Sequence, residues 1–154
     1  MKLISPTKGE MTLTEVVEDI KNYIKESSVP VEIVVGTDSQ NTDQTKFVVV
    51  LAMYRIGQGG RFFYHVEKTK LVKELRAKIY QETQMTLNFA EKLTTEMINQ
   101  DILHDVLIHC DLGTVGKTKD LIAEIKGWVM AEGYEVYIKP ECYAACAIAN
   151  MLTK

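Results

Sequence analysis

Apolar residues recur along this chain with two different periods, and the switches between them divide it into elements. Near the start, Val16, Ile20 and Ile24 fall one helical turn apart. Thr12-Leu-Thr-Glu15 ahead of them reads as a capping box, in which the Thr12 hydroxyl and the Glu15 carboxylate each satisfy an open backbone N–H. Residues 27–30, ending in Pro30, break this helix. A β-branched run over 31–35 closes at Gly36 and predicts a buried strand. Residues 47–54 and 61–66 predict two more, separated by a polar turn at 41–46 and by Gly57-Gln-Gly-Gly60. Three strands joined by short turns predict an antiparallel meander.

The period then lengthens. Val72, Leu75, Ile79, Thr86, Phe89, Leu93 and Met97 share one stripe of a helix predicted over 71–99. An apolar strand at 106–110 follows, then a helix over 117–131 carrying Leu121, Ile122, Ile125, Trp128 and Val129. Gly133 stops it, because glycine readily takes the left-handed conformation that ends helices. A fifth strand is predicted over 134–138, ended by Pro140, and a last helix over 141–152. The order is βββαβαβα behind a leading helix. Right-handed crossovers place the first strand beside the fourth. The expectation is an α/β fold, a single domain over residues 1–154. Its five-stranded mixed sheet has three antiparallel strands, then two parallel, with helices on both faces.

Length agrees with this, since 154 residues fit one domain able to bury a core without staples. Three cysteines and an N-terminus without an apolar signal core predict a reduced, cytoplasmic protein. The longest apolar runs are too short to span a bilayer. A net charge of −3 argues against a protein that mainly coats nucleic acid without sequence preference. It leaves a nuclease open, because acidic metal ligands lower the net charge of such enzymes.

Four carboxylates then stand out by position. Asp38 follows the first predicted strand and Asp111 the fourth. If those strands are parallel neighbours, both acids lie at the carboxyl edge of the sheet, where open α/β folds hold their ligands. Two such acids repel, and a divalent cation between them resolves the repulsion. Glu82 falls on the apolar stripe of the long helix, where an unpaired charge is costly. Glu141 follows the fifth strand at a helix start, where the helix dipole favours an anion. Each has an ordinary role to weigh: turn caps for the two Asp, a pairing with Lys78 for Glu82, a first-turn acid for Glu141. Convergence of four elements on one edge favours the joint reading.

Other features are weaker. Gly113-Thr-Val-Gly-Lys-Thr118 echoes a phosphate-binding loop, but the nucleotide motif needs glycine at 111, where Asp111 stands. Lys117 and Thr118 remain candidates for holding a substrate phosphate at a helix start. Lys68, Lys70, Lys73, Arg76 and Lys78 form a basic cluster, read either as a solvated face or as a strip for nucleic-acid phosphates. His109 shares a strand face with Asp111 and reads either as a satisfied core histidine or as a proton-transfer aid. Cys142 and Cys146 lack a second ligand pair for zinc and read as small buried residues.

Together Gly36-Thr-Asp-Ser-Gln40, Gly59-Gly-Arg-Phe-Phe-Tyr64, Glu82-Thr83, His109-Cys-Asp-Leu-Gly113, Gly116-Lys-Thr118 and Lys139-Pro-Glu-Cys-Tyr-Ala-Ala145 resemble the ribonuclease H superfamily, and within it the uncharacterised bacterial YkuK-like family. The resemblance implies metal-ligand roles for Asp38, Glu82 and Asp111, with Mg²⁺ or Mn²⁺ as cofactor and RNA, DNA or a hybrid as partner. It also implies an Asp in the final helix, where this chain has Asn150 after Ala149. Glu141 is then the candidate fourth ligand. The leading expectation is a metal-dependent nuclease or phosphodiesterase. The alternative is a non-catalytic nucleic-acid or protein binding module with a degraded site. A third reading is a nucleotide-phosphate hydrolase using Lys117 and Thr118.

Overall fold

The computed structural model describes residues 1–112 and 119–138. Its strands are β1 (Lys2–Ser5), β2 (Gly9–Thr12), β3 (Val31–Asn41), β4 (Thr45–Arg55), β5 (Gly60–Thr69), β6 (Leu107–His109) and β7 (Glu135–Tyr137). Its helices are α1 (Leu13–Lys25), α2 (Leu75–Asn99) and α3 (Ile122–Ala131), the last preceded by a 3₁₀ turn at Lys119–Leu121. The predicted capping box is present at Thr12 and Glu15.

The strands form one mixed sheet in the order β2-β1-β5-β4-β3-β6-β7. β3, β4 and β5 are the expected antiparallel meander, and β6 lies parallel to β3 as the crossover rule requires. The sheet has seven strands among the described residues, not five. The added pair, β1 and β2, is a hairpin ahead of α1. Each of its strands commits only one apolar residue fully to the core, Leu3 and Met11, too little for a periodic signal. β3 and β4 run eleven residues each, well past their apolar runs. Asp38 therefore sits inside a strand and not just after one, and the polar turn shrinks to the few residues before Thr45.

Register divides the sheet into two chemically distinct faces. Val31, Ile33 and Val35 of β3 and Val49, Leu51 and Met53 of β4 join one core with residues of all three helices. Val48, Val50 and Ala52 form a separate cluster flanked by Tyr54, Phe62, Tyr64 and Val66. Alternation of side chains along a strand makes these the two opposite faces. Helices were expected on both faces; α1, α2 and α3 all pack on the first. The expected last helix, with Glu141, Cys142, Cys146 and Asn150, lies outside the described residues, as do Lys117 and Thr118.

Candidate active site at the carboxyl end of β3

Three consecutive residues of β3 set the local geometry. Asp38 pairs with Val48 and so faces the side without the described helices. Its neighbours Thr37 and Ser39 pair with Val49 and Phe47 and face α2. Thr37 is buried, and its Oγ1 lies 2.7 Å from Thr86 Oγ1 of α2. Thr83 and Thr86 are buried on the sheet-facing side of α2, where each hydroxyl returns a hydrogen bond to a carbonyl one turn back. This polar seam replaces apolar packing where α2 crosses the end of β3.

Glu82 enters the seam from α2. Ser39 donates a hydrogen bond to Glu82 Oε2. The helical stripe thus placed Glu82 correctly, against the sheet. Burial is the main reason its carboxyl is pushed up to about 8. The negative charges of Asp38 and Asp111 push the same way, while the Ser39 hydrogen bond and Lys78 pull less strongly against them. At neutral pH Glu82 therefore holds a proton, surrounded by two acids that discourage a third charge.

Asp111 stands two residues beyond the end of β6. Gly36 pairs with His109, so extending this parallel register by two brings Asp111 level with Asp38. Asp111 and Glu82 line one small cavity with Thr37, Thr83, Thr86 and His109. His109 is 6% exposed and packs edge-on against Tyr137, ring centroids 5.7 Å apart. Burial pushes its pKa down to about 4, so the imidazole is neutral at physiological pH. Its Nδ1 is buried with no hydrogen-bond partner among the described residues, so the ring is not the satisfied core histidine expected.

Asp38, Glu82 and Asp111 are thus electrostatic neighbours at one end of the sheet. Among the described residues, however, no three His, Cys, Asp or Glu side chains converge closely enough to hold one metal ion. The strand register supplies the physical reason. Asp38 projects from one face, Glu82 arrives on the other, and Asp111 lines Glu82's cavity. All three offer hard oxygen donors, a set suited to Mg²⁺ or Mn²⁺ and not to a soft metal.

Two further placements differ from expectation. The basic cluster is split, with Lys68 on β5 and Arg76 on α2. Arg76 is committed to Glu124 of α3 at 2.8 Å. Sequence reasoning missed Ser39 and Thr37, although period-two alternation around Asp38 would have placed both against α2.

The comparisons with known proteins agree with this architecture. A ribonuclease H-like family model matches residues 15–154. The chain is 32% identical over 165 aligned positions to the protein named Uncharacterized protein YkuK of Bacillus subtilis (strain 168). That alignment covers 96% of this chain and 94% of the relative. No solved structure gives a significant match. With the family model spanning nearly the whole chain and a relative matched end to end, the chain belongs to the ribonuclease H-like family.

Proposed function

We propose that this chain is a divalent-metal-dependent phosphodiesterase acting on nucleic acid. The observation that carries the reading is Glu82: a carboxyl driven to about 8 by burial and by its neighbours Asp38 and Asp111. Groups this perturbed, in a cavity at the ligand-binding edge of an α/β sheet, mark functional sites. Asp38, Glu82 and Asp111 hold Mg²⁺ or Mn²⁺ in this proposal, with Glu141 as the fourth ligand. Such ions activate a water and stabilise the leaving oxygen of a phosphodiester. Lys117 and Thr118 are the candidates for a substrate phosphate.

The chain's own residues do the positioning. The Thr37–Thr86 contact fixes α2 against β3, and Ser39 orients Glu82. His109 stays neutral beside the acids and adds no positive charge to compete with a cation. The test is Mg²⁺- or Mn²⁺-dependent cleavage of RNA, DNA and hybrid by wild type and Asp38→Asn, with calorimetry of metal binding. Cleavage by wild type alone supports the reading. Equal activity of the two, or no heat of metal binding, overturns it.

One observation favours the second reading, a binding module without catalysis: the three acids do not form one ligand group among the described residues. Nucleic-acid binding that persists without metal, with no cleavage under any condition, would select it.

A further inference from the structure

Between β5 and α2 the chain crosses the end of the sheet where the acids gather. Asn41, Thr45 and Thr69 of β3, β4 and β5 stand in one row at that end. Residues 70–74 leave β5 from this row and lead into α2 at Leu75. They are pinned at Val72. Its N–H donates to Thr45 Oγ1 at 2.8 Å, and its carbonyl accepts from Asn41 Nδ2 at 2.9 Å. Thr45 is fully buried and closes the ring by donating to Asn41 Oδ1 at 2.7 Å. The reach agrees: the three residues from Thr69 to Val72 can span about 10 Å, the width of two strand spacings. The segment is a taut strap over the strand tips, not a free loop.

The strap lies on the side where Glu82 sits. Asn41 is two residues beyond Ser39 on the same face of β3, about 7 Å along the strand. Ser39 is the residue that donates to Glu82. On either side of pinned Val72, Lys70 and Lys73 are exposed, and their ammonium groups make no hydrogen bond or ion pair among the described residues. Lys78 of α2 stands one helical turn before Glu82, and its charge reaches that carboxyl. Arg76 is held by Glu124 instead. Glu74 is the one acid in the sequence from 70 to 78. Acids alone repel a polyanion, and fixed lysines beside them offset that repulsion. Contacts of this kind hold the phosphate backbone and read no base.

We infer that Lys70 and Lys73 of the strap, together with Lys78, grip the phosphate backbone of nucleic acid beside the acidic site, whatever its sequence. The inference rests on the nucleic-acid reading above and names the surface that holds the chain next to the scissile bond. The test uses the full chain with EDTA present, so that binding is read without cleavage. A fluorescein-labelled single-stranded DNA of about 12 nucleotides, within the usual range of single-strand sites, is titrated by anisotropy over a series of salt concentrations. The double variant Lys70→Ala/Lys73→Ala should bind about tenfold more weakly at low salt and lose about 1.4 from the salt slope, the release expected for two phosphates. Lys70→Arg/Lys73→Arg keeps both charges and should bind like wild type. Lys25→Ala, which removes an exposed lysine at the end of α1, should also bind like wild type. Unchanged thermal melting of the variants excludes misfolding as the cause.

Wild-type affinity and slope in the double alanine variant would overturn the proposal, as would an equal loss in Lys25→Ala. Displacement of the DNA by polyglutamate as readily as by unlabelled DNA would assign the strap to acidic peptides and overturn it too. A protein that never cleaves yet binds DNA through Lys70 and Lys73 would remove the nuclease reading and leave the strap. An active nuclease indifferent to both lysines would do the reverse.

Discussion

The two faces of the sheet, compared at the end of β3, solve opposite problems with adjacent residues. On the helix side, Thr37 and Ser39 enter a closed seam in which Thr86 and Glu82 of α2 supply their partners. On the other side, Asp38 shares a face with the half-buried rings and lysine of β5. One face spends its polar groups on holding α2 in place. The other sets Asp38 beside the buried cluster of Val48, Val50 and Ala52. The comparison teaches that a single strand can deliver polar groups to two different environments in strict alternation, separated by one residue.

The comparison breaks most completely at Asp38. Asp38→Asn should lower metal-dependent cleavage about a hundredfold or more. Cleavage rates of the two proteins, with weaker metal binding by the variant in calorimetry, provide the check.

The next largest effect belongs to the closed face, and it depends on pH. The Glu82 carboxyl has a folded pKa of about 8 against an ordinary value of 4.5, so the folded state binds its proton more tightly. The resulting stabilisation is complete below 4.5 and is lost as pH rises to about 8. Glu82→Gln, which can still accept from Ser39, escapes that loss. In metal-free buffer its advantage over wild type should grow from near zero in acid to a few kcal/mol above pH 8. Urea melts across the range measure it, and a constant gap would show that the carboxyl is not desolvated as described.

Ser39→Ala sharpens the same point on a smaller scale. It leaves buried Glu82 without its hydroxyl donor and should cost about 1–2 kcal/mol. In the Glu82→Gln background that penalty should persist, since an amide oxygen needs the donor equally. Smaller again, Thr86→Val removes one partner of Thr37 and should cost about 1 kcal/mol without altering cleavage.

His109 provides a contrary pH signature. Its folded pKa of about 4 lies below the ordinary 6.5, so it contributes stability above 6.5 that is lost as pH falls toward 4. His109→Gln should flatten the acid limb of the wild-type stability curve.

Much of this was legible in the sequence, and the exceptions have specific causes. The meander, the parallel neighbour of β3 and the inward placement of Glu82 follow from apolar periodicity and crossover handedness. The extra reach of β3 and β4 did not, because residues such as Gln40, Asn41 and Lys46 extend the ladder with polar side chains. Backbone pairing, not hydrophobicity, holds those ends. The β1–β2 hairpin was invisible for a related reason, since Leu3 and Met11 are the apolar residues that it buries in the core. The positions of Asp38, Glu82 and Asp111 were readable, but the distribution of the first two over two faces was not weighed. It required only the parity of Asp38 within its strand.

The hairpin has a consequence for how this molecule keeps to itself. β5 is ten residues long and would otherwise end the sheet with an open row of amides and carbonyls beside its aromatic side chains. Such an edge invites another chain to pair with it. β1 lies against the middle of β5 at Tyr64, and β2 then ends that side of the sheet with only four residues. A few residues at the start of the chain thus act as a guard against intermolecular strand addition, closing the edge of β5.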